Sequence, residues 1–262
     1  FRLGMIYAFI LGLCCCLLAL FPHSILTLLG FSPEVVTGAV PIFRIIAISL
    51  IFQMLFTVPA DFLEAINRPR MVMLTIIIAN LVNVVANIWL VGGGFGVEAM
   101  GAVGSAWSTL IIRIVSFVLI ITWLIYGPVG KVYNLNPKRL FVLDGLEQRA
   151  FLKIGLSSSG AHAIESTAFA AMLVMAGWIS DDALSGFNVA FTVLATLFMV
   201  SLGLGSGSSV LVGNAIGEGD TQTARRAGFL GLGLNTAVMV ILAIVFYAFA
   251  PFLSGLFTKA PH

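Results

Sequence analysis

The sequence predicts an all-α, polytopic transmembrane helix bundle, and three observations carry that expectation. Of its 262 residues, 60% are apolar and 9% charged, against roughly 25% charged in ordinary soluble domains. The apolar residues fall in seven runs suited to a bilayer core about 30 Å thick, which takes about 20 helical residues. The runs lack apolar/polar alternation, so membrane β-strands are disfavoured. The same figures exclude other classes. Too few charges remain to coat a soluble surface, and a net charge of +2 offers no basic patch for nucleic acid. No enzyme activity in a water-exposed cleft is expected.

The first run, 5–21, holds Cys14, Cys15 and Cys16. Neighbouring cysteines point in different directions on a helix and cannot build a disulfide framework. They read as small apolar side chains, with no metal site expected. Pro22 and Pro33 bracket the following loop. In the second run, 40–62, Pro41 reads as a helix start and Pro59 as a kink. NRPR (67–70) punctuates the passage to the third run, 71–91, and GGGFG (92–96) the passage to the fourth, 102–126. A longer polar segment over 127–149 precedes the fifth run, 151–179. SDD (180–182) then leads to the sixth, 183–212, and GEGDTQTARR (217–226) to the seventh, 227–249. The chain opens at Phe1 without an initiator Met or a signal-peptide pattern, so it reads as processed or as a piece of something longer.

Orientation follows from the cations. With Arg2 on the cytoplasmic side and seven alternating spans, that side holds Arg2, Arg68, Arg70, Lys131, Lys138, Arg139, Arg149, Lys153, Arg225 and Arg226, and the other only Lys259. This is the positive-inside bias, and a missed or invented span would scramble it. Arg44 and Arg113 remain inside spans. Arg44 is expected near the outer end of its helix, where it could snorkel. Arg113 sits near mid-span and could not.

Among the acids, Glu165 alone lies near the centre of a span. Intramembrane ionisable groups are expensive and usually mark a pathway. Helical spacing places Ser158, His162 and Glu165 on one face of the fifth span, with Ser159 and Ser166 beside it. Such a face suits a cavity better than lipid. A carboxyl there would be neutralised by a bound cation or proton, as an ion-coupling residue requires. The bland alternative is a structural Glu, protonated or paired with Arg113 or a backbone group. His162 could equally be a hydrogen-bonded packing group or a relay.

The third span carries Asn80, Asn83 and Asn87 at helical spacing. Asn80 reads as interhelical glue, Asn83 and Asn87 as cavity lining. The sixth span contains SLGLGSGSSVLVGNAIGEGD (201–220), whose Gly203, Gly205, Gly207 and Gly213 read as sites of close helix approach or bending. No βαβ context or Walker lysine supports a nucleotide loop. FPHSILTLLGFSP (21–33) and APFLSGLFTKAP (250–261) share a Pro-bracketed pattern at separations of 229 and 228 residues, as a repeated half would produce.

These motifs together resemble the MATE exporters. DFLEAINRPRMVMLTIIIANLVNVVANIWLVGG with GVEAMGAVGSA, over 61–106, is similar to the fourth and fifth helices of that family and the start of the sixth. AFAAMLVMAGW, LGLGSGSSVLVGNAIGEGD and ARRAG, within 155–226, resemble the seventh and eighth helices and the loop after them. The resemblance implies twelve helices in two six-helix lobes, this chain running from the third to the ninth. It divides the chain into the end of an N-terminal lobe (1–126), a cytoplasmic linker (127–150) and the start of a C-terminal lobe (151–262).

It further implies export of organic cations or drug-like amphipathic compounds in exchange for Na⁺ or H⁺, by a monomer in the inner membrane, with no other cofactor. Glu165 matches the family's seventh-helix ion-coupling Glu, and Asn83 a fifth-helix Asn beside the N-lobe cavity. Asn87 stands where proton-coupled prokaryotic members often carry Asp. Phe187 and Asn188 replace a His-Gln or Tyr-Gly pair, so the substrate contacts there do not carry over. The expected site is therefore Glu165 for the ion, with Asn83, Asn87, Ser158, His162, Ser166, Arg113 and Asn188 lining the substrate cavity. A lipid-linked saccharide flippase of the same superfamily would favour several cavity cations, for which Arg44 and Arg113 are the candidates. A seven-helix receptor fits the span count alone, and a purely structural subunit leaves Glu165 unexplained.

Overall fold

The structure is a computed structural model that describes residues 1–28, 33–94, 96, 98–132 and 145–249. Each of the seven apolar runs is helical over most of its length, and among the described residues two short helices lie between them. In chain order these are α1 (Arg2–Leu18), α2 (Pro22–Leu28), α3 (Pro33–Ala65), α4 (Pro69–Gly92), α5 (Gly101–Tyr126), α6 (Pro128–Val132), α7 (Gly145–Ile179), α8 (Asp181–Gly217) and α9 (Thr221–Ala248). Six described helices are long and apolar enough to cross a membrane, α1 being the shorter apolar helix.

Three boundaries differ from the sequence reading. α1 stops at Leu18, and the remaining apolar residues lead into α2, which begins at Pro22. α3 starts at Pro33 rather than Pro41, so both Pro41 and Pro59 lie inside the helix. Proline lacks only an N–H that a first-turn residue would leave unpaired, so Pro33 suits the helix start. Arg44 consequently lies about three turns inside α3, not near its end. The 127–150 segment is helical at both edges, in α6 and the first turns of α7; residues 133–144, and the second Pro-bracketed stretch with Lys259, lie outside the described residues.

The turns are read directly from their residues. After α3, Asn67 adopts the left-handed conformation (φ 58°). Its N–H donates to Glu64 O at 3.0 Å and that of Arg68 to Leu63 O at 2.8 Å, the pair of bonds that closes a Schellman end. Pro69 then opens α4. The α8 end repeats the pattern with Gly219 (φ 79°), whose N–H donates to Ile216 O at 3.0 Å while Asp220 N–H donates to Ala215 O at 2.9 Å. Asp220 also starts α9. Its carboxylate accepts from Gln222 N at 3.1 Å and Thr223 N at 2.9 Å.

The chain divides into two compact units, Phe1–Phe151 and Leu152–His262. In the first, α1 runs antiparallel to α3 along a line of small residues, Gly4, Ala8, Gly12 and Cys16. A Cβ on Gly12 would stand 2.8 Å from Ile51 Cα, and one on Gly4 2.9 Å from Val58 Cγ1. Cys16 Sγ donates to Ala47 O at 3.4 Å. Close backbone approach supplies dispersion where lipid removes the hydrophobic drive between helices. α3 and α5 run parallel. Ile45 packs with Ala106 and Leu110, Phe52 lies 6.4 Å from Phe117, and Ala60 and Leu63 meet Ile120 and Leu124. α4 returns against α5 through Val72, Thr75, Ala79, Ala86 and Leu90, all buried. Its opposite face exposes Leu81, Val84, Val85 and Ile88, as a lipid-facing surface should.

In the second unit α8 and α9 form a close antiparallel pair. Asn235 Nδ2 donates to Ser201 Oγ at 2.9 Å, and a Cβ on Gly231 would strike the side chain of Ser208. The glycines picked out in the sequence behave otherwise. A Cβ on Gly203, Gly205, Gly207 or Gly213 would meet nothing within 4 Å among the described residues. The near contact needs a glycine opposite a serine, and α9 supplies it at Gly231.

Candidate ion-coupling and substrate site

Glu165 lies in the middle of α7, and its position is fixed by the helix around it. One turn later, Phe169 meets Phe191 of α8 edge-on, with ring centroids 5.2 Å apart. Phe187 stacks on Phe191 at 6.0 Å. Glu165 shares the face of Phe169, so it lies on the α8-facing side of α7. One turn earlier, His162 Nδ1 stands 3.6 Å from Glu165 Oε2, with side chains 74% and 40% exposed respectively. At that separation the two side chains are neighbours without a hydrogen bond between them, and a protonated imidazole would attract the carboxylate. Ser158 and Ser166 are both exposed on α7, Ser158 continuing the line from His162 and Ser166 flanking it.

Asn188 on α8 is exposed, its carbonyl accepting from Thr192 Oγ1 at 2.8 Å.

On α4, Asn87 Nδ2 donates at 3.1 Å both to the Asn83 carbonyl and to Asn83 Oδ1. Both side chains are half-buried, and Asn83 keeps its amide nitrogen for another acceptor. Asn80 departs from the expected role as glue. It is exposed, and its Nδ2 donates to Ile76 O of its own helix at 2.9 Å, because its position faces away from the α5 seam.

Arg113 is half-buried on α5, and its Nη1 donates to Ser49 Oγ at 2.6 Å. Ser49 is fully buried, and its hydroxyl donates to Ile46 O, also at 2.6 Å. Among the described residues the guanidinium has no carboxylate within salt-bridge distance. A cation with a neutral hydroxyl for a partner keeps most of its donors for something else.

The structure thus brings His162 to Glu165 and Asn83 to Asn87. It adds two polar pairs the sequence reading passed over, Arg113–Ser49 and Asn235–Ser201. The signal for both was present. An arginine or asparagine at mid-span needs a hydrogen-bonding neighbour, and Ser49 and Ser201 are serines at matching depth on the adjoining helices. Asn235 Oδ1 and Asn214 Nδ2 are buried without a partner among the described residues, places where a water would fit a polar seam.

The profile of the family described as MatE matches residues 1–89 and 158–262. The probable multidrug resistance protein NorM of Caulobacter vibrioides is 31% identical over 99% of this chain and 55% of its own. The multidrug resistance protein NorM of Burkholderia vietnamiensis is 34% identical over 70% of this chain and 39% of its own. Among solved structures, a MOP superfamily transporter from Pyrococcus furiosus shares the fold at a TM-score of 0.82 and 22% identity, covering 98% of this chain and 56% of that one. The chain spans about half the length of the curated relatives it matches. Its apolar spans and its bacterial relatives make it a multi-pass protein of the inner membrane. With the profile covering most of the residues, the chain belongs to the MatE family of membrane transporters.

Proposed function

We propose that this chain forms part of a secondary antiporter that exports drug-like organic cations in exchange for Na⁺ or H⁺. The observation that supports it is Glu165, a carboxyl 40% exposed within an apolar span and 3.6 Å from His162. A carboxylate in such surroundings is costly until a cation or proton neutralises it. Ion occupancy therefore changes which conformation is lower in free energy. Drug and ion are exchanged because each binds the two conformations with different affinity; a ligand without that difference shifts nothing.

In this reading Ser158, Ser166 and Asn188 offer uncharged hydrogen-bonding groups to the substrate beside Glu165. Within the first unit, Asn83, Asn87 and Arg113 are the polar side chains offered to a substrate. The relatives named as NorM multidrug resistance proteins support the substrate class. The protein works as a monomer, makes and breaks no covalent bond, and needs no cofactor beyond the coupling ion.

The test is transport in everted membrane vesicles from cells expressing the protein, with ethidium as cation and an imposed Na⁺ or H⁺ gradient. Gradient-dependent ethidium uptake into the vesicles is expected. No uptake with either gradient, together with translocation of a lipid-linked saccharide, would replace this reading with that of a flippase, for which Arg113 would be the phosphate partner.

A further inference from the structure

We propose that the cytoplasmic end of α9 carries a binding site for an anionic phospholipid, holding its phosphodiester on Arg225 and Arg226. The two arginines, with Gln222, Phe229 and Leu230, line an open recess of about 570 Å³. These positions fall on one face of the helix, and the recess runs from its polar end toward its apolar one. Arg225 lies over the Phe229 ring, 5.7 Å from its centroid, which holds the guanidinium beside the recess.

Neither guanidinium has a carboxylate within ion-pair distance among the described residues. The nearest acid in sequence on the helix side, Asp220, is already occupied by the first turn of α9. Two unneutralised arginines present forked donors that match phosphate oxygens two at a time.

The apolar wall selects the occupant. Phe229 is 64% and Leu230 73% exposed, and both lie one turn deeper into the span than the arginines. A free phosphate has no use for such a wall, whereas a lipid places its headgroup on the cations and its glycerol and acyl carbons on the ring and the leucine. The distribution of Lys and Arg along the chain puts this end at the cytoplasmic leaflet, where anionic lipids attract basic recesses.

The test uses the protein purified in mild detergent and reconstituted into nanodiscs of phosphatidylcholine with or without phosphatidylglycerol, with retained lipid read by native mass spectrometry. Phosphatidylglycerol is expected to be retained over phosphatidylcholine. The R225Q/R226Q variant should lose on the order of tenfold or more of that preference, while R68Q/R70Q, on the same side, should keep it. Phe229→Ala leaves both charges in place and should weaken retention severalfold, so a charge-only effect is distinguished from a built site. Inorganic phosphate at millimolar concentration should not displace the lipid. Equal retention by wild type and R225Q/R226Q, equal loss in R68Q/R70Q, or displacement by free phosphate would each overturn the proposal.

Discussion

Arg113 on α5 and Ser49 on α3, 64 positions apart in sequence, are joined by a 2.6 Å hydrogen bond in the first unit. The serine hydroxyl is fully buried and donates in turn to a backbone carbonyl of its helix. The arginine is therefore held by a chain of neutral groups, with no acid at ion-pair distance among the described residues. This fixes the register of two parallel helices and leaves the positive charge available.

Removing that hydroxyl should loosen the register without unfolding the chain. Charged hydrogen bonds contribute about 1.5–3 kcal/mol in water, and interhelical ones in membranes up to about 1.7. Ser49→Ala is expected to destabilise by about 1–2 kcal/mol, seen as a lower Tm in detergent, and Ser49→Thr to recover most of it. Ser49→Ala and Arg113→Gln should be strongly non-additive in a double-mutant cycle. Additive losses would mean that the bond does not form.

The α8–α9 seam gives a second expectation. A side chain at Gly231 would collide with Ser208, so Gly231→Ala should destabilise by about 1–3 kcal/mol, as overpacking does. Ser208→Gly in the same chain should restore much of the stability. Gly205→Ala, where a Cβ meets nothing within 4 Å, should be near neutral. Thermal unfolding of the four proteins measures all three effects.

Asp220 carries the pH dependence of the α8–α9 turn. The Thr223 hydroxyl donates to Oδ2 at 2.6 Å, and with the backbone N–H bonds it holds the Asp220 carboxyl below the ordinary aspartate value of 3.8. A depressed pKa means that the capping contribution is complete above the unfolded-state value and fades as pH falls through the folded-state value. Wild type should therefore lose stability relative to Asp220→Asn on acidification below about pH 4, with little difference between them in pH dependence above pH 6. Parallel Tm profiles across the whole range would contradict this.

Much of the architecture was legible because it rests on length, composition and punctuation. NRPR closes one helix with a left-handed Asn67 and opens the next with Pro69, and Gly219–Asp220 does the same for α8 and α9. Boundaries governed by local helix continuation were less legible. Pro41 reads as a start, yet α3 passes through it from Pro33, since a long apolar helix tolerates an internal proline when neighbouring helices support it.

At the candidate site, the Glu165–His162 and Asn83–Asn87 pairs followed from spacing within one helix. Ser49 and Asn235 did not, because their partners come from another helix and no single-helix pattern encodes that registry. The close approach read from the α8 glycines is absent among the described residues for the same reason: closeness is a property of a pair, and on this seam it joins Gly231 to Ser208.

The pairing of His162 with Glu165 makes a distinction between the two residues. His162→Ala leaves the Glu165 carboxyl in place, so transport should remain ion-driven. Loss of gradient dependence in His162→Ala would place the coupling on the pair and not on Glu165 alone.

The most direct measurement is gradient-driven ethidium transport by Glu165→Gln in everted vesicles, at matched expression and with ethidium binding followed alongside. Glutamine keeps the size and hydrogen-bonding capacity of the side chain but cannot take up a proton or balance a cation. The expected result is retained ethidium binding with transport that no longer responds to the Na⁺ or H⁺ gradient. Full gradient-driven transport by Glu165→Gln would contradict the assignment of ion coupling to this residue.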